Sequence, residues 1–162
     1  MKVGIISDTH NYLSKKTINY LSECDEIWHA GDIGTIDILN RLEKISYTRA
    51  VYGNIDGDLL RREIKEYLVF KIKKIKVLMI HIAGRIESYN SKTRDLIKEN
   101  KPDLLVCGHS HILKVSRDNK FNLLHINPGA AGNVGFHREK TIIRFDVNNE
   151  KIQNMQVVKL DK

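Results

Sequence analysis

Side chains that can bind metal ions recur along the sequence, and each of them follows an apolar run. Carboxylate, imidazole and amide groups bind divalent cations and move protons, but they act together only when the fold brings them to one place. No G-x-S-x-G motif marks a serine nucleophile in this sequence. The candidate ligands are Asp8, His10, Asp32, Asn54, His81, His109 and His111.

The number of these ligands indicates two metal ions. A single tetrahedral zinc ion takes about four ligands, fewer than this set supplies. A carboxylate such as Asp32 has two oxygens and can bridge two ions, and Gly31 before it allows a close backbone approach. Two cations about 3.5 to 4 Å apart can turn a water between them into hydroxide near neutral pH. Imidazoles mixed with hard oxygens favour Mn, Fe, Zn, Co or Ni over calcium.

Strands and helices alternate in the first third of the chain. Apolar runs at 3–7, 26–30 and 48–52 have the character of strands, and patterns at 14–24 and 35–45 have roughly helical spacing. This βαβαβ order predicts a parallel sheet with right-handed crossovers.

The remainder of the chain predicts hairpins around one further helix and strand. The helix is 91–100, which ends before Pro102, and the strand is 103–108. Three hairpins are predicted at 67–82, 113–126 and 141–160. A parallel half followed by hairpins predicts two packed sheets flanked by helices.

The candidate ligands fall where predicted strands end. The carboxyl ends of strands in an open α/β sheet form the ligand crevice, so distant residues can converge there. Residues i and i+2 of an extended chain point to one side, with Cα atoms about 6 to 7 Å apart. We therefore expect Asp8 with His10, and His109 with His111, to reach into one small site.

Length and composition indicate one soluble domain over residues 1–162. The chain is 41% apolar and 29% charged, as globular proteins are. It has no apolar run of about 18 residues that would cross a membrane, and a strand that starts almost at Met1 does not resemble a signal peptide. We expect a cytoplasmic protein without a membrane partner. Cys24 and Cys107 have no C-x-x-C pairing, which argues against a disulfide framework or a thiolate metal site.

The net charge of +7 leaves nucleic acid open as a partner without favouring it. Lys and Arg are spread along the chain and form no known nucleic-acid motif. The charge predicts only a weak preference for anionic ligands, such as a small phosphorylated substrate. Exposed strands such as 151–160 could pair between subunits, so a homo-oligomer stays open.

Five motifs, in order and over most of the chain, resemble those of the calcineurin-like metallophosphoesterases. They are D-x-H at 8–10, G-D at 31–32, G-N-x-D at 53–56, the lone His81 after an apolar strand, and G-H-x-H at 108–111. The resemblance includes the small bacterial and archaeal phosphodiesterases of the YfcE and MJ0936 type. The resemblance implies the metallophosphatase fold, a four-layer αββα sandwich of two mixed sheets flanked by helices.

The same resemblance implies a role for each ligand. It assigns one metal to Asp8, His10 and His111, the other to Asn54, His81 and His109, and the bridge to Asp32. It also implies a dimetal phosphodiesterase in which the bridging hydroxide attacks small phosphodiesters, with Asp32, Asn54 and His81 as catalytic residues and Mn as the first choice of metal.

Two other functions stay open for this sequence. One is a non-catalytic scaffold like Vps29, which resembles these enzymes but has lost ligands, and the seven filled positions disfavour it. The other is a nuclease acting on longer nucleic acid, which only the net charge of +7 supports.

Several polar positions have more than one interpretation. The sequence has Ile55 where many relatives carry a histidine that protonates the leaving group, so the proton source is open. Asp56 either orients a ligand or starts a turn. Arg85 is either a surface residue or a phosphate contact. His29 is expected in the core or beside a ligand, and His137 in an exposed loop.

Overall fold

The strands and helices follow one another much as the sequence predicts. The computed structural model describes residues 1–160. The first half contains β1 (Lys2–Ile6), α1 (Lys15–Leu21), β2 (Glu26–His29), α2 (Ile36–Glu43), β3 (Tyr47–Ala50) and α3 (Asp58–Glu63). The second half contains β4 (Tyr67–Ile72), β5 (Ile75–Ile80), β6 (Gly84–Arg85), β7 (Ser88–Tyr89), α4 (Ser91–Asn100), β8 (Leu104–Val106), β9 (Lys114–Asp118), β10 (Leu123–Asn127), β11 (Thr141–Asn148) and β12 (Lys151–Lys159).

Two mixed sheets carry these strands. One has the order β12-β11-β1-β2-β3, in which β1, β2 and β3 are parallel and β11 and β12 are antiparallel. The other has the order β4-β5-β8-β10-β9, in which β5, β8 and β10 are parallel. The parallel strands are neighbours in each sheet, β1-β2-β3 in the first and β5-β8-β10 in the second, so that the loops after them meet at one edge.

Side-chain caps fix where two of the helices begin. The Ser14 hydroxyl accepts a 3.0 Å bond from the N–H of Thr17 at the start of α1. The Asn90 side chain accepts a 2.8 Å bond from the N–H of Thr93 at the start of α4. Each cap satisfies a backbone donor that the helix leaves unpaired, which stabilises the helix by about 1 kcal/mol.

Three apolar clusters separate four layers. The cluster between the two sheets joins side chains of both, among them Trp28, Met79 and Phe145. A second cluster packs α1, α2 and α3 on the outer face of the first sheet, and a third packs α4 on the second sheet. Burial of each large apolar side chain contributes about 1.5 to 3 kcal/mol. The predicted αββα sandwich is confirmed.

Some short elements are absent from the sequence-based prediction. Helix α3 spans six residues and buries only Leu60, while Leu59 is 68% exposed, so no apolar stripe marks it. Strands β6 and β7 have two residues each, too few for an alternating pattern. The longest helix in residues 1–160 has ten residues, and no helix there is long and apolar enough to cross a membrane.

Candidate metal centre

The loops after β1, β2, β3, β5 and β8 converge at the carboxyl edge of the two sheets. Backbone hydrogen bonds join them: the Asp8 N–H donates to the Gly31 carbonyl at 2.9 Å, and the Gly108 N–H to the His81 carbonyl at 3.0 Å. The His109 N–H donates to Asp8 Oδ2 at 3.1 Å. This network brings together all of the ligands predicted from the sequence.

The predicted ligands form two triads. The donor atoms within each triad all lie within 4.8 Å of one another, close enough to hold one ion. The triads are Asp8, His10 and His111, and Asp32, His81 and His109. Asn54 belongs with the second, because its Oδ1 lies 3.1 Å from His81 Nε2 and 3.0 Å from His109 Nδ1. This grouping is the one that the resemblance implied, and metal binding by each residue stays a prediction.

The Asp32 carboxylate faces both triads. Its Oδ1 lies 3.2 Å from His81 Nε2, and its Oδ2 lies 3.7 Å from His10 Nε2. One oxygen is therefore available to each side, which is the arrangement that a bridging ligand requires. Asp8 Oδ1 also lies between the triads, 3.2 Å from His111 Nε2 and 3.9 Å from His81 Nε2.

Two buried atoms of the first triad fit a cation. Asp8 Oδ1 and His10 Nε2 have no hydrogen-bond partner in the described part of the chain, and they lie 3.9 Å apart. An unpaired buried polar atom costs about 1 to 3 kcal/mol, and more if it is charged. A divalent cation bound by both atoms would remove this cost, so the donor set fits a metal ion of the kind predicted.

Ligand residues at this edge adopt left-handed backbone conformations. The φ angles are 53° at Asp8, 43° at His10, 53° at Asp32, 69° at His109 and 58° at His111. Such angles cost about 1 to 3 kcal/mol each for residues other than glycine, and they cluster at functional sites. The predicted extended geometry is therefore wrong, although both pairs do reach into one small site, with His109 and His111 in different triads as the resemblance implied.

Two glycines allow the ligand loops to approach one another. A Cβ atom at Gly53 would lie 2.0 Å from Asp32 Oδ1, and one at Gly108 would lie 2.0 Å from Ser7 Oγ and 2.8 Å from Asp8 Oδ2. Any side chain at either position would displace a carboxylate of the site. The glycines of the G-N and G-H motifs are thus required because no larger residue would fit at these positions.

Carboxylates and imidazoles in the site stabilise one another's charges. Burial alone would raise the pKa of the Asp8 and Asp32 carboxyls, but the nearby imidazoles, chiefly those of His111 and His81, outweigh it and hold both pKa values below 3.8. The Asp8 carboxylate in turn raises the pKa of His111. Burial by itself would lower the pKa of His81, but Asp32 and Asp8 together raise it. A metal ion would displace these protons from the two imidazoles.

His29 supports the loops without facing the triads. Its Nδ1 accepts a 3.2 Å bond from the Gly31 N–H, so its Nε2 carries the proton and donates to Thr9 Oγ1 at 2.9 Å. Thr9 in turn donates to the Ile33 carbonyl at 2.9 Å. Complete burial lowers the pKa of His29 to about 4, so the ring is neutral. This placement agrees with the predicted core or supporting role.

Asp56 joins the loop of Asp32 to the loop of Asn54. Its Oδ2 accepts the N–H groups of Ile33 at 3.2 Å and Gly53 at 2.8 Å, and its Oδ1 accepts the Gly34 N–H at 2.8 Å. Asp56 is 2% exposed. Of the two interpretations of this residue, the structure supports an orienting role.

His137 is the supporting residue that sequence reasoning missed. The prediction that it is simply exposed is wrong, because it is partly buried and its Nδ1 lies 3.2 Å from His111 Nδ1. Its Nε2 lies 2.9 Å from the Gly132 carbonyl. A carbonyl can only accept, so His137 Nε2 carries the proton and its Nδ1 accepts one from His111. No spacing in the sequence marks this contact, because it depends on how the loop after β10 folds back.

Two known proteins are similar to this chain in sequence. The chain is 35% identical over 136 residues to the probable metallophosphoesterase MJ0623 of Methanocaldococcus jannaschii, covering 80% of this chain and 68% of that protein. It is 28% identical over 143 residues to the phosphodiesterase MJ0936 of the same organism, covering 80% of this chain and 83% of the relative.

A solved structure and a family model complete the comparison. The crystal structure of wild-type Vps29 from Entamoeba histolytica complexed with Zn²⁺ is similar with a TM-score of 0.76 and 16% identity over 99% of both chains. That likeness shows the fold alone. The model of the calcineurin-like phosphoesterase superfamily domain matches residues 1–150. Since this match covers most of the chain, the protein belongs to the calcineurin-like phosphoesterase superfamily.

Proposed function

We propose that the protein uses two divalent cations to hydrolyse small phosphodiesters. Among the candidate metals, Mn is the first choice. The observation that carries this proposal is the pair of triads with the Asp32 carboxylate between them. The phosphodiesterase MJ0936 supports diesters as substrates, since it is related to this chain over 143 residues. Divalent cations in such a site lower the pKa of water and offset the charge of a phosphoryl group.

The side chains of the site divide into a buried back and an open front. Asp8 is fully buried, whereas His109 and Asn54 are exposed. Substrate therefore approaches from the side of the second triad. Asp32 and His81 lie behind this front and hold the donors in place, so that the phosphoryl group would meet a rigid surface.

The leaving group lacks an obvious proton donor in this chain. Ile55 follows Asn54 directly and is 46% exposed, but its side chain holds no proton to donate. Its backbone N–H is engaged with Asp32 Oδ1 at 3.1 Å. Good leaving groups, which depart as anions without protonation, are therefore the expected substrates in assays.

The deciding experiment is hydrolysis of bis(4-nitrophenyl) phosphate by metal-stripped protein to which Mn²⁺ is returned. We expect turnover that depends on Mn²⁺ and that Asp32→Asn abolishes, because an amide has only one oxygen acceptor. Asp95→Asn, on the exposed face of α4, is the matched control and should leave the rate unchanged. Unchanged turnover in Asp32→Asn would refute the dimetal mechanism.

A non-catalytic scaffold remains the second candidate, because the Vps29 fold matches 99% of the chain. Absence of hydrolysis with mono- and diesters under every candidate metal would favour it. A nuclease would instead lose affinity for oligonucleotides steeply with salt. The small-substrate enzyme should show a weaker dependence, because it neutralises fewer phosphates.

A further inference from the structure

Two clefts flank the open side of the metal centre. The first is lined by Tyr52, Asn54, Arg61, Glu66, His81 and Lys92, among others. The second, here the cationic cleft, has a volume of about 450 Å³ and is lined by residues that include Ile82, Arg85, Ile86, His109, Ile112 and Lys114. Both clefts are large enough to take a small organic group, and they differ in charge.

Positive charges in the first cleft are already engaged. The Arg61 guanidinium donates to the Asp56 carbonyl at 2.6 Å and to the Gly53 carbonyl at 3.2 Å. The Lys92 ammonium is paired with the Glu66 carboxylate, which lines the same cleft. In this cleft only Arg61 is not paired with a carboxylate, and its N–H groups are already turned toward backbone carbonyls.

Positive charges in the cationic cleft have no such partners. Its lining includes Arg85 and Lys114 but no aspartate or glutamate. Neither cation forms an ion pair with any residue in 1–160 at the distances that define one, and both are exposed. The cleft opens beside His109 of the second triad. An anion placed there would meet two cations of the protein next to the metal centre.

Apolar side chains form the rest of this cleft. Ile82 directly follows His81 and is 38% exposed, and Ile112 directly follows His111 and is 66% exposed. Exposed isoleucines in the lining of one cleft favour a ligand with apolar faces, since each loses contact with water when the ligand binds. The cleft thus combines an apolar body with cationic ends.

The wall that carries Arg85 is fixed to the second sheet. The turn between β6 and β7 is held by a 3.1 Å bond from the Glu87 N–H to Asp118 Oδ2. Tyr89 is 4% exposed, stacks on His125 and packs against Phe121. A wall that is anchored before the ligand arrives lowers the entropy cost of binding.

We propose that the cationic cleft binds one ester arm of the substrate, an arm with an apolar body and a second anionic group. This inference rests on the proposed phosphodiesterase function and narrows its substrate class. The apolar body lies against Ile82 and Ile112, and the anion lies against Arg85 and Lys114. Uncharged arms are accepted by the first cleft, where Lys92 is paired with Glu66 and the Arg61 guanidinium is held by backbone carbonyls.

The test compares three 4-nitrophenyl phosphodiesters that differ only in the second arm. The arms are 4-carboxybenzyl, 4-carbamoylbenzyl and 4-(aminomethyl)benzyl, which have one body and carry a negative, a neutral and a positive group. We expect the KM of the carboxybenzyl ester to be about tenfold below that of the carbamoyl ester, as for a charge-assisted hydrogen bond on an exposed surface. The aminomethyl ester should have the highest KM. KM is the readout because it falls whenever the ester binds more tightly, whichever of its two arms occupies the cationic cleft.

Matched variants assign the effect to the cleft. The double variant Arg85→Gln, Lys114→Gln should bring the KM ratio of the charged and neutral esters close to one. The control, Arg94→Gln, Lys98→Gln on the exposed face of α4, removes the same charge elsewhere and should keep the ratio. Hydrolysis of the carbamoyl ester should be unchanged in the control variant.

Equal KM values for the charged and neutral esters in the parent protein would overturn the inference, as would a preference that persists in the double variant of the cleft. If no ester is hydrolysed, the proposed function fails instead. Calorimetric titration with the same three esters then still tests the cleft, because the preferred binding of the carboxybenzyl arm needs no turnover.

Discussion

A ring nitrogen can hold a cation only when it carries no proton, and His111 depends on His137 for this condition. His137 Nδ1 accepts a hydrogen bond from the N–H at His111 Nδ1. It can do so because the proton of His137 is on Nε2, which donates to the Gly132 carbonyl. His111 Nε2, which faces Asp8, is then free to give its lone pair to a metal. Such supporting hydrogen bonds fix the tautomer and orientation of a ligand.

Replacement of His137 should therefore weaken metal binding at the first triad. We expect His137→Ala to raise the dissociation constant for Mn²⁺ about 10- to 100-fold. His137→Gln should recover part of the loss, since its side-chain oxygen can accept the same proton. Chelator competition measures the constant, and Arg138→Ala, on the neighbouring exposed residue, is the control. Equal affinities in all of these proteins would contradict the role.

The side chain of Ile55 sets a second expectation. Without a proton donor there, hydrolysis rates should fall steeply as the leaving group of an aryl phosphodiester becomes more basic. Ile55→His should flatten this dependence. Turnover that is independent of viscosity would show that chemistry limits the rate, and a flat dependence in the parent protein would then argue against an unassisted leaving group.

Residue types and spacing were enough to predict which side chains meet, but the geometry around them needed the structure. Carboxylates and imidazoles after strand ends could only converge at one edge of a parallel sheet. Asp and His adopt the left-handed backbone more often than most residues, but nothing in the spacing of Asp8, His10 and Asp32 predicts it there. The contact between His111 and His137 depends on a loop whose path no periodicity describes.

At the scale of the elements, short loops hold the ligands and strand ends hold the loops. The parallel strands of each sheet supply these ends, since β1, β2 and β3 belong to one sheet and β5 and β8 to the other. Asp56 then joins the loops after β2 and β3 through three backbone N–H groups. The loops therefore form one connected surface.

Removal of the Asp56 carboxylate should destabilise the fold as well as the site. Asp56→Ala leaves the buried N–H groups of Ile33 and Gly53, and also that of Gly34, without an acceptor. Each unpaired group costs about 1 to 3 kcal/mol, partly offset by water, so we expect a loss of about 3 kcal/mol in the free energy of unfolding. Urea unfolding of metal-free protein measures it, with Asp95→Asn as the control. A change below about 0.5 kcal/mol would show that Asp56 only starts a turn.

Periodicity predicted the longer elements, and length explains the omissions. Helix α4 occupies residues 91–100 as predicted, because a cap begins it and Pro102 follows its end. Helix α3 and the two-residue strands β6 and β7 are too short for any repeating pattern. These short elements border the two clefts. The walls of the clefts were therefore the part of the fold that the sequence did not predict.

On the scale of the whole molecule, stability and site are coupled through buried polar groups. The three apolar clusters stabilise the layers. The polar residues at the sheet edge act against them, because many are buried in the same interior. His29 is the clearest case, since it is completely buried and neutral.

Acidification should therefore destabilise the metal-free protein through His29. The pKa of this ring is about 4 in the folded protein and 6.5 as its ordinary value. Between these two pH values the unfolded chain binds a proton that the folded chain cannot, so stability falls as pH falls through this window. The shift corresponds to about 3 kcal/mol in the free energy of unfolding. This stability is lost completely below pH 4 and retained above pH 6.5.

Urea unfolding at about pH 7 and about pH 4.5 measures this dependence. His29→Gln should lose most of it, because glutamine does not titrate, whereas Arg138→Gln should keep it. Equal pH dependence in the parent protein and in His29→Gln would show that other groups dominate.

The unpaired oxygen of Asp8 ties the lifetime of the folded chain to metal supply. A buried carboxylate oxygen without a partner favours unfolding until a cation binds it. A metal ion present at about 100 times its dissociation constant adds about 2.7 kcal/mol to the free energy of unfolding. The metals proposed for hydrolysis would therefore also stabilise the fold, so that metal depletion would lower the resistance of the protein to unfolding.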